Sequence, residues 1–287
     1  MSGVTIIHEP TAAEPFVVLS KPAGLASAPL VAGGESALTE CARLFPAVLK
    51  VRGKKTVEGG LLHRIDTATS GLLLVATSQE FYDHIIAAQE RGGFVKGYRA
   101  DCNLDADNAA SLGGFPDSAE ALQDQNAAAA SLACHKSLQK SNNSLQDQNP
   151  AARGSLCGLE ISSYFRPFGK GSKEVRPVLP SSNAAALKKL GSKKLYSTKI
   201  VAADFFDGAK IARVECKIAQ GYRHQVRCHL AWLGLPVRGD LVYNRACRTD
   251  SAQGQEAAGG QGQMRFCAAS LEFPDLFGKK TFRFSLD

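Results

Sequence analysis

Apolar positions follow two rhythms along this chain. "LLLVA" (72–76) is an unbroken apolar run, bounded by Gly71 and by Thr77-Ser78. A run that short between turn signals predicts a strand buried on both faces. "ARVECKIAQG" instead alternates, with Ala212, Val214, Cys216 and Ile218 set against Arg213, Glu215 and Lys217, which predicts a half-buried strand. The tail alternates again through Phe282, Phe284 and Leu286, and shorter strands are expected at Phe16–Leu19 and over "FVKGYRADC" (94–102).

Two stretches carry the helical period. Thr77-Ser78-Gln79-Glu80 has the form of a capping box, Phe81, Ile85 and Ala88 follow at i, i+4 and i+7, and Gly92-Gly93 closes the segment. In "YRHQVRCHLAWLGLP" a stripe of Val226, Leu230 and Leu233 opens after Gly221 and ends at Gly234 and Pro236. Strands and helices mix without a βαβ rhythm. The expected class is α+β, a mixed and mainly antiparallel sheet flanked by helices.

Between about 104 and 156 both rhythms fail. "ALQDQNAAAASL" (121–132) returns imperfectly as "SLQDQNPAARGSL" (144–156), a period of 23 residues, and Phe115 is the one aromatic there. Two copies are too few for a solenoid. So polar a stretch cannot bury enough apolar surface to offset its ordering entropy. It is expected to be a disordered, low-complexity insertion in one catalytic domain spanning 1–287, and loop closure tolerates such an insertion.

Charge sharpens the picture. Of a formal +7, the whole excess lies in 157–200, where nine Lys and Arg residues face only Glu160 and Glu174. A clustered positive surface attracts polyanions, nucleic acid above all, although a solvated loop would read the same way. Eight cysteines form no Cys-x-x-Cys pair and no finger-like spacing with histidines. They are expected to be reduced, mostly buried thiols in a cytoplasmic protein. No stretch reaches the roughly 18 apolar residues of a membrane span, and the start "MSGVTIIHEPTAAEP" does not read as a signal peptide.

The chemistry concentrates in "LLHRIDTATSGLLLVAT" (61–77), where His63, Arg64 and Asp66 precede the buried run. A carboxylate beside an apolar strand is costly unless paired and hydrogen-bonded. Arg223 and Arg227, four apart in the helix expected after Gly221, would share a face near its N-terminus, where the macrodipole disfavours cations. An anion is therefore expected nearby, an RNA phosphate or a carboxylate such as Asp66. Spacing alone equally allows a plain ion pair of Asp66 with Arg227 or Arg64. The same pair would also orient a carboxylate nucleophile.

Four segments in order across 17–243 resemble one family. "HRIDTATSGLLLVAT" is similar to the signature of the RluA-type RNA pseudouridine synthases, with Ile65 in place of leucine. "VVLSKPAGL" (17–25) resembles the family's opening strand and Lys-Pro turn, and "VKGYRA" (95–100) its Lys-x-Tyr strand. "GYRHQVRCHLAWLGLPVRGDLVY" (221–243) resembles its Gly-Arg-Thr-His-Gln-Ile-Arg helix followed by Gly-x-Pro and Gly-Asp-x-x-Tyr. The chain departs at Tyr222, which stands where the family has arginine; Arg223 comes one place later, about 100° round a helix. The family's frequent S4-like RNA-binding module is expected to be absent.

The resemblance implies roles. Asp66 matches the catalytic aspartate, Tyr98 the tyrosine that stacks on the uracil, and Arg227 the arginine that pairs with the aspartate. Arg64 matches the arginine that enters the RNA stack when the uridine leaves it. His63, Lys96, Arg223, His224 and Gln225 are the further expected substrate-binding positions, with 63–71, 96–98 and 221–227 lining one cleft. The resemblance implies no metal and no organic cofactor.

The implied reaction is conversion of specific uridines to pseudouridine in structured RNA, ribosomal or transfer. The aspartate would act by covalent attack or through a glycal intermediate, and both routes stay open. A monomer without an obligate protein partner or membrane association is expected. The rival reading is a catalytically idle RNA-binding or ribosome-assembly protein on the same fold. A hydrolase using His63 and Asp66 lacks a nucleophile elbow or a His-Glu-x-x-His pattern.

Overall fold

A computed structural model describes residues 3–31, 33–105, 156–206, 211–247 and 263–287. The insertion expected at 104–156 lies outside the described residues except at its two ends. In chain order the strands are β1 (Thr5–His8), β2 (Phe16–Lys21), β3 (Ser70–Ala76), β4 (Val95–Asn103) and β5 (Glu160–Phe168). They continue with β6 (Glu174–Val178), β7 (Tyr196–Phe206), β8 (Ile211–Ile218), β9 (Phe266–Pro274) and β10 (Thr281–Ser285). The helices are α1 (Ala37–Leu44), α2 (Gln79–Glu90), α3 (Ala184–Leu187) and α4 (Gln225–Trp232). They form two compact units: Met1–Tyr98 with Cys267–Asp287, and Arg99–Phe266. The expected mixed, mainly antiparallel sheet with flanking helices is what the chain forms.

In the first unit β1, β2 and β3 pair antiparallel, with Val18 opposite Leu74 and Lys21 opposite Gly71. β3 then runs parallel to β9 through Ser70 and Gly71, and β10 returns antiparallel along β9. Alternation splits the apolar runs between two cores. Phe16, Val18, Leu72 and Leu74 pack with Phe81, Tyr82 and Ile85 of α2 and with Phe94 and Phe273. Val17, Leu19, Leu73 and Val75 face the opposite way, against Ala37, Leu38 and Cys41 of α1 and against Leu61 and Ile65. Both faces of β2 and β3 are covered, which is why their sequences carry no polar alternation.

The helix after β3 starts one residue later than a cap at Thr77 would place it. The Thr77 N–H still donates to the Pro15 carbonyl at 2.9 Å, so Thr77 extends the sheet contact. Ser78 caps α2 instead, its side chain accepting the Phe81 N–H. The helix ends after Glu90, ahead of Gly92 at φ +80°.

In the second unit the strands lie in the order β8-β7-β5-β6, all neighbours antiparallel. β8 buries Ala212, Val214, Cys216 and Ile218, as its alternation predicts. Phe165 and Val175 pack on Cys228 and Ala231 of α4 and on Tyr243. The basic segment becomes β5, β6, α3 and the start of β7. α4 corrects an expectation: it begins at Gln225, after His224 in the left-handed region at φ +57°. Arg223 therefore precedes the helix and shares no helical face with Arg227. Gln225 sets this start, its Oε1 accepting the Tyr222 N–H at 2.9 Å while its Nε2 donates to Ser197 O and Thr198 Oγ1.

Candidate active site

Asp66 sits on a turn between the bridge at Leu61 and the first residue of β3, its carbonyl accepting the Thr69 N–H at 2.9 Å. The backbone on both sides is held by the Lys-Pro segment after β2. The Ser27 hydroxyl donates to the Ile65 carbonyl at 2.7 Å and accepts the Ile65 N–H at 3.1 Å. The Thr67 carbonyl accepts the Gly24 N–H at 2.8 Å and the Lys21 ammonium at 3.2 Å. Lys21 also donates to the carbonyls of Pro22 and Leu25. Two motifs distant in sequence thus form one object, a loop clamped through its main chain, which carries the half-buried Asp66.

Gly71 lets this loop enter β3. Its φ is +118°, and a Cβ there would run into the Ala268 carbonyl on the parallel neighbour. The family-like Thr-Ser-Gly segment therefore needs glycine for a steric reason.

Three groups feel the Asp66 charge or lie beside the loop. Tyr98, half-buried, has its phenol pushed upward, first by burial and then by the negative charge of Asp66. It stays a neutral hydrogen-bond donor at neutral pH. Burial draws the Lys21 ammonium down to about 8, while the Asp66 charge pulls the other way. Arg64 is exposed, its Nη1 2.8 Å from Glu58 Oε1. Of the two ion-pair partners that spacing allowed for Asp66, Arg64 is therefore engaged with a different acid.

His63 and Lys96 are drawn inward. His63 Nε2 accepts the Leu74 N–H at 3.2 Å, so the ring proton lies on Nδ1, and the ring meets Phe94 edge-on at 5.2 Å. Burial, with the Lys96 charge adding to it, lowers its pKa to about 3, so the ring is neutral. Lys96 is 3% exposed, its Nζ 4.4 Å from the Phe94 ring centroid. Burial, and then Lys54, bring it down to about 7.

The second-unit motif is built around a buried ion pair. Arg227 is buried and bidentate to Asp240, with Nε to Oδ2 and Nη2 to Oδ1 both 2.7 Å. Asp240, fully buried, also accepts the N–H groups of Val242 and Tyr243. His224 Nδ1 lies 3.1 Å from Tyr243 Oη. Arg223 donates to the carbonyls of Ser172 and Glu174. Tyr222, in the position of the family's arginine, stacks on Phe165 with centroids 5.0 Å apart and planes at 4°.

Sequence reasoning assigned no role to Asp240, Lys21 or Ser27. The first two lie in quoted motifs, Gly-Asp-x-x-Tyr and Lys-Pro, and a buried arginine demands a carboxylate, so Asp240 was the findable one. Among the described residues no group of His, Cys, Asp and Glu is arranged to hold a metal ion. None of the described helices is long and apolar enough to cross a membrane.

Comparison with known proteins bears on this geometry. Two solved human structures share the fold. RNA Pseudouridylate Synthase Domain Containing 1 is 17% identical at a TM-score of 0.57, covering 99% of this chain and 83% of that one. RNA Pseudouridylate Synthase Domain Containing 4 is 16% identical at 0.53, covering 98% and 87%. The tRNA pseudouridine(31) synthase of Saccharomyces cerevisiae is 26% identical over 244 residues, which is 85% of this chain and 47% of that protein. The chain thus spans about half the length of that curated relative. The model of a family described as RNA pseudouridylate synthase matches residues 15–232. This match runs from the edge of β2 to the end of α4, through the Lys-Pro turn, the Asp66 loop and the Lys-x-Tyr strand, and the chain belongs to the RNA pseudouridylate synthase family.

Proposed function

We propose that the protein isomerises specific uridines of structured RNA to pseudouridine, with Asp66 as the group that acts on the sugar. The observation that carries this reading is the clamped loop. Lys21, Gly24 and Ser27 fix the main chain on both sides of Asp66 and so hold the position from which its carboxylate acts. Isomerisation breaks the glycosidic bond, turns the base and rejoins it through carbon, so a nucleophile or base must be held still while the uracil moves.

Other assignments follow from position. The target nucleotide must leave its stack, at about a few kcal/mol. Arg64, exposed and paired with the buried Glu58, is suited to fill the gap with a planar guanidinium. Tyr98, neutral and coupled to the Asp66 charge, is suited to hold the freed uracil and donate a hydrogen bond. Arg227, whose guanidinium is held by the buried Asp240, is the arginine that the motif assigns to this reaction. The yeast relative is named for transfer RNA, so transfer RNA is the first substrate class to test, with ribosomal RNA as the second.

The decisive experiment is pseudouridine mapping of unmodified transfer RNA and ribosomal RNA incubated with wild type and with Asp66→Asn. Wild type is expected to modify a defined uridine, and the variant is expected to lose at least about a thousandfold in rate, as when a covalent nucleophile is removed. Modification that survives the substitution would overturn the role of Asp66. Wild type that binds RNA and modifies none would favour the idle binder.

A further inference from the structure

The segment that leads into the Asp66 loop carries an acid where physics argues against one. Glu58 ends a single 3₁₀ turn, Thr56–Glu58, and is 7% exposed. A buried carboxylate is costly, and negative charge beside an RNA-binding loop repels phosphate. Four cations come just before it, Lys50, Arg52, Lys54 and Lys55, and all four are exposed. Glu58 instead pairs with Arg64, six positions on, with Nη1 2.8 Å from Oε1.

The pair is asymmetric. The Glu58 side chain is 10% exposed and that of Arg64 56%. One terminal nitrogen of the guanidinium is held, while Nη2 and Nε take no hydrogen-bond partner among the described residues. The pair is also not needed to join its two segments to the sheet, because the main chain does so already. The Gly60 N–H donates to the Val48 carbonyl and the Gly60 carbonyl accepts the Ala76 N–H, both at 2.8 Å. The Leu62 N–H donates to the Leu74 carbonyl at 3.1 Å, and Ser27 holds Ile65 from the other side. A Cβ at Gly60 would run into the Ala76 carbonyl, so the chain beside Glu58 lies as close to β3 as backbone allows. The carboxylate therefore stands at a fixed point, and what it fixes is the guanidinium.

We propose that Glu58 is a positioning residue for uridine isomerisation: it holds Arg64 by one edge, in the attitude in which the guanidinium fills the gap left by the extruded nucleotide, and the pair stays closed during that step. An arginine that swung away to reach the RNA would leave a buried carboxylate unpaired, which outweighs what stacking on one base contributes. An arginine that stays is ordered before the RNA arrives and loses less rotamer freedom on insertion. Its planar faces remain open to the bases on either side. This inference rests on the reading that Arg64 enters the RNA stack.

The test is a double-mutant cycle on the full chain, with single-turnover pseudouridine formation on an unmodified transfer RNA transcript as the readout. Glu58→Gln and Glu58→Ala are each made alone and together with Arg64→Ala, and rates are compared where every variant is folded. Glu58→Ala should lower the limiting rate about tenfold or more, as for a misplaced group at a site. The RNA concentration at half-maximal rate should change by less than about twofold, because contacts elsewhere bind the RNA. Glu58→Gln, which keeps an acceptor, should fall between wild type and Glu58→Ala, with little change in melting temperature. In the Arg64→Ala background neither substitution should alter the rate by more than about twofold, since the group it positions is gone. A purely structural acid would slow both backgrounds alike, and that additivity would overturn the proposal while leaving the activity in place. A faster Glu58→Ala enzyme would overturn it too, by showing that the acid restrains Arg64. Arg64→Ala with the wild-type rate would sink the role of Arg64 and this inference with it. Wild type that forms no pseudouridine would sink the proposed activity itself.

Discussion

The two arginine-bearing motifs of this chain, His63-Arg64-Ile65-Asp66 and Tyr222 to Arg227, look alike on paper and are built in opposite ways. In the first, the main chain is fixed by Lys21, Gly24 and Ser27, while Arg64 is exposed and Asp66 half-buried. In the second, the side chains are themselves the fixing elements: Arg227 grips Asp240, Gln225 holds the turn before its own helix, and Arg223 braces the β5–β6 turn. A motif residue is thus no guarantee of a ligand contact. What decides its use is whether the surrounding backbone already has partners.

The contrast can be broken most forcefully at Asp240. Asp240→Ala leaves the Arg227 guanidinium buried without its bidentate acid and should cost about 3–5 kcal/mol, read as a large fall in melting temperature. A stable variant would mean that the second motif is not the clamp described.

Lys21→Met tests the first region in the same way. It strips the second donor from the Thr67 carbonyl and leaves acceptors in the interior, at about 1–3 kcal/mol. Pseudouridine formation should fall at least about tenfold even at temperatures where the variant is folded, since misplacement at a site is costly in rate. Full activity in single-turnover assays would show that the loop needs no ammonium.

A pH series sharpens the view of the interior cations. Lys96 falls to about 7 when folded, against 10.5 as its ordinary value. Between these values the unfolded chain holds a proton that the folded chain lacks, so stability rises with pH across that window, and on acidification the loss is complete by about pH 7. Lys96→Met should flatten the rise in denaturant midpoints. Some slope should remain above about pH 8, because Lys21 is displaced in the same direction. The smallest effect is expected at the Arg64–Glu58 pair, where Arg64 is exposed and Glu58 buried: Glu58→Gln keeps an acceptor for the guanidinium and should cost about 1 kcal/mol.

Much of this was legible in the order of residues. The unbroken run at 72–76, the alternation at 212–218 and the stripe at 226, 230 and 233 each reported how many faces of an element are covered, because period and burial are linked by backbone geometry alone. The four spaced motifs sufficed for the family. Less legible were the starts of α2 and α4, each shifted by hydrogen bonds from outside the local sequence, Thr77 to Pro15 and Gln225 to β7.

By itself, then, the sequence determined the strand and helix types and the family, since these rest on local periodicity and on motif spacing. Only the tertiary structure decided which partners the charged side chains take: that Arg64 faces Glu58, that Arg227 faces Asp240, and that Arg223 serves a hairpin 49 positions away at Glu174. The physical reason is that a charge takes whichever partner folding brings within hydrogen-bond reach, and that partner is set by strand register and loop path rather than by neighbours along the chain.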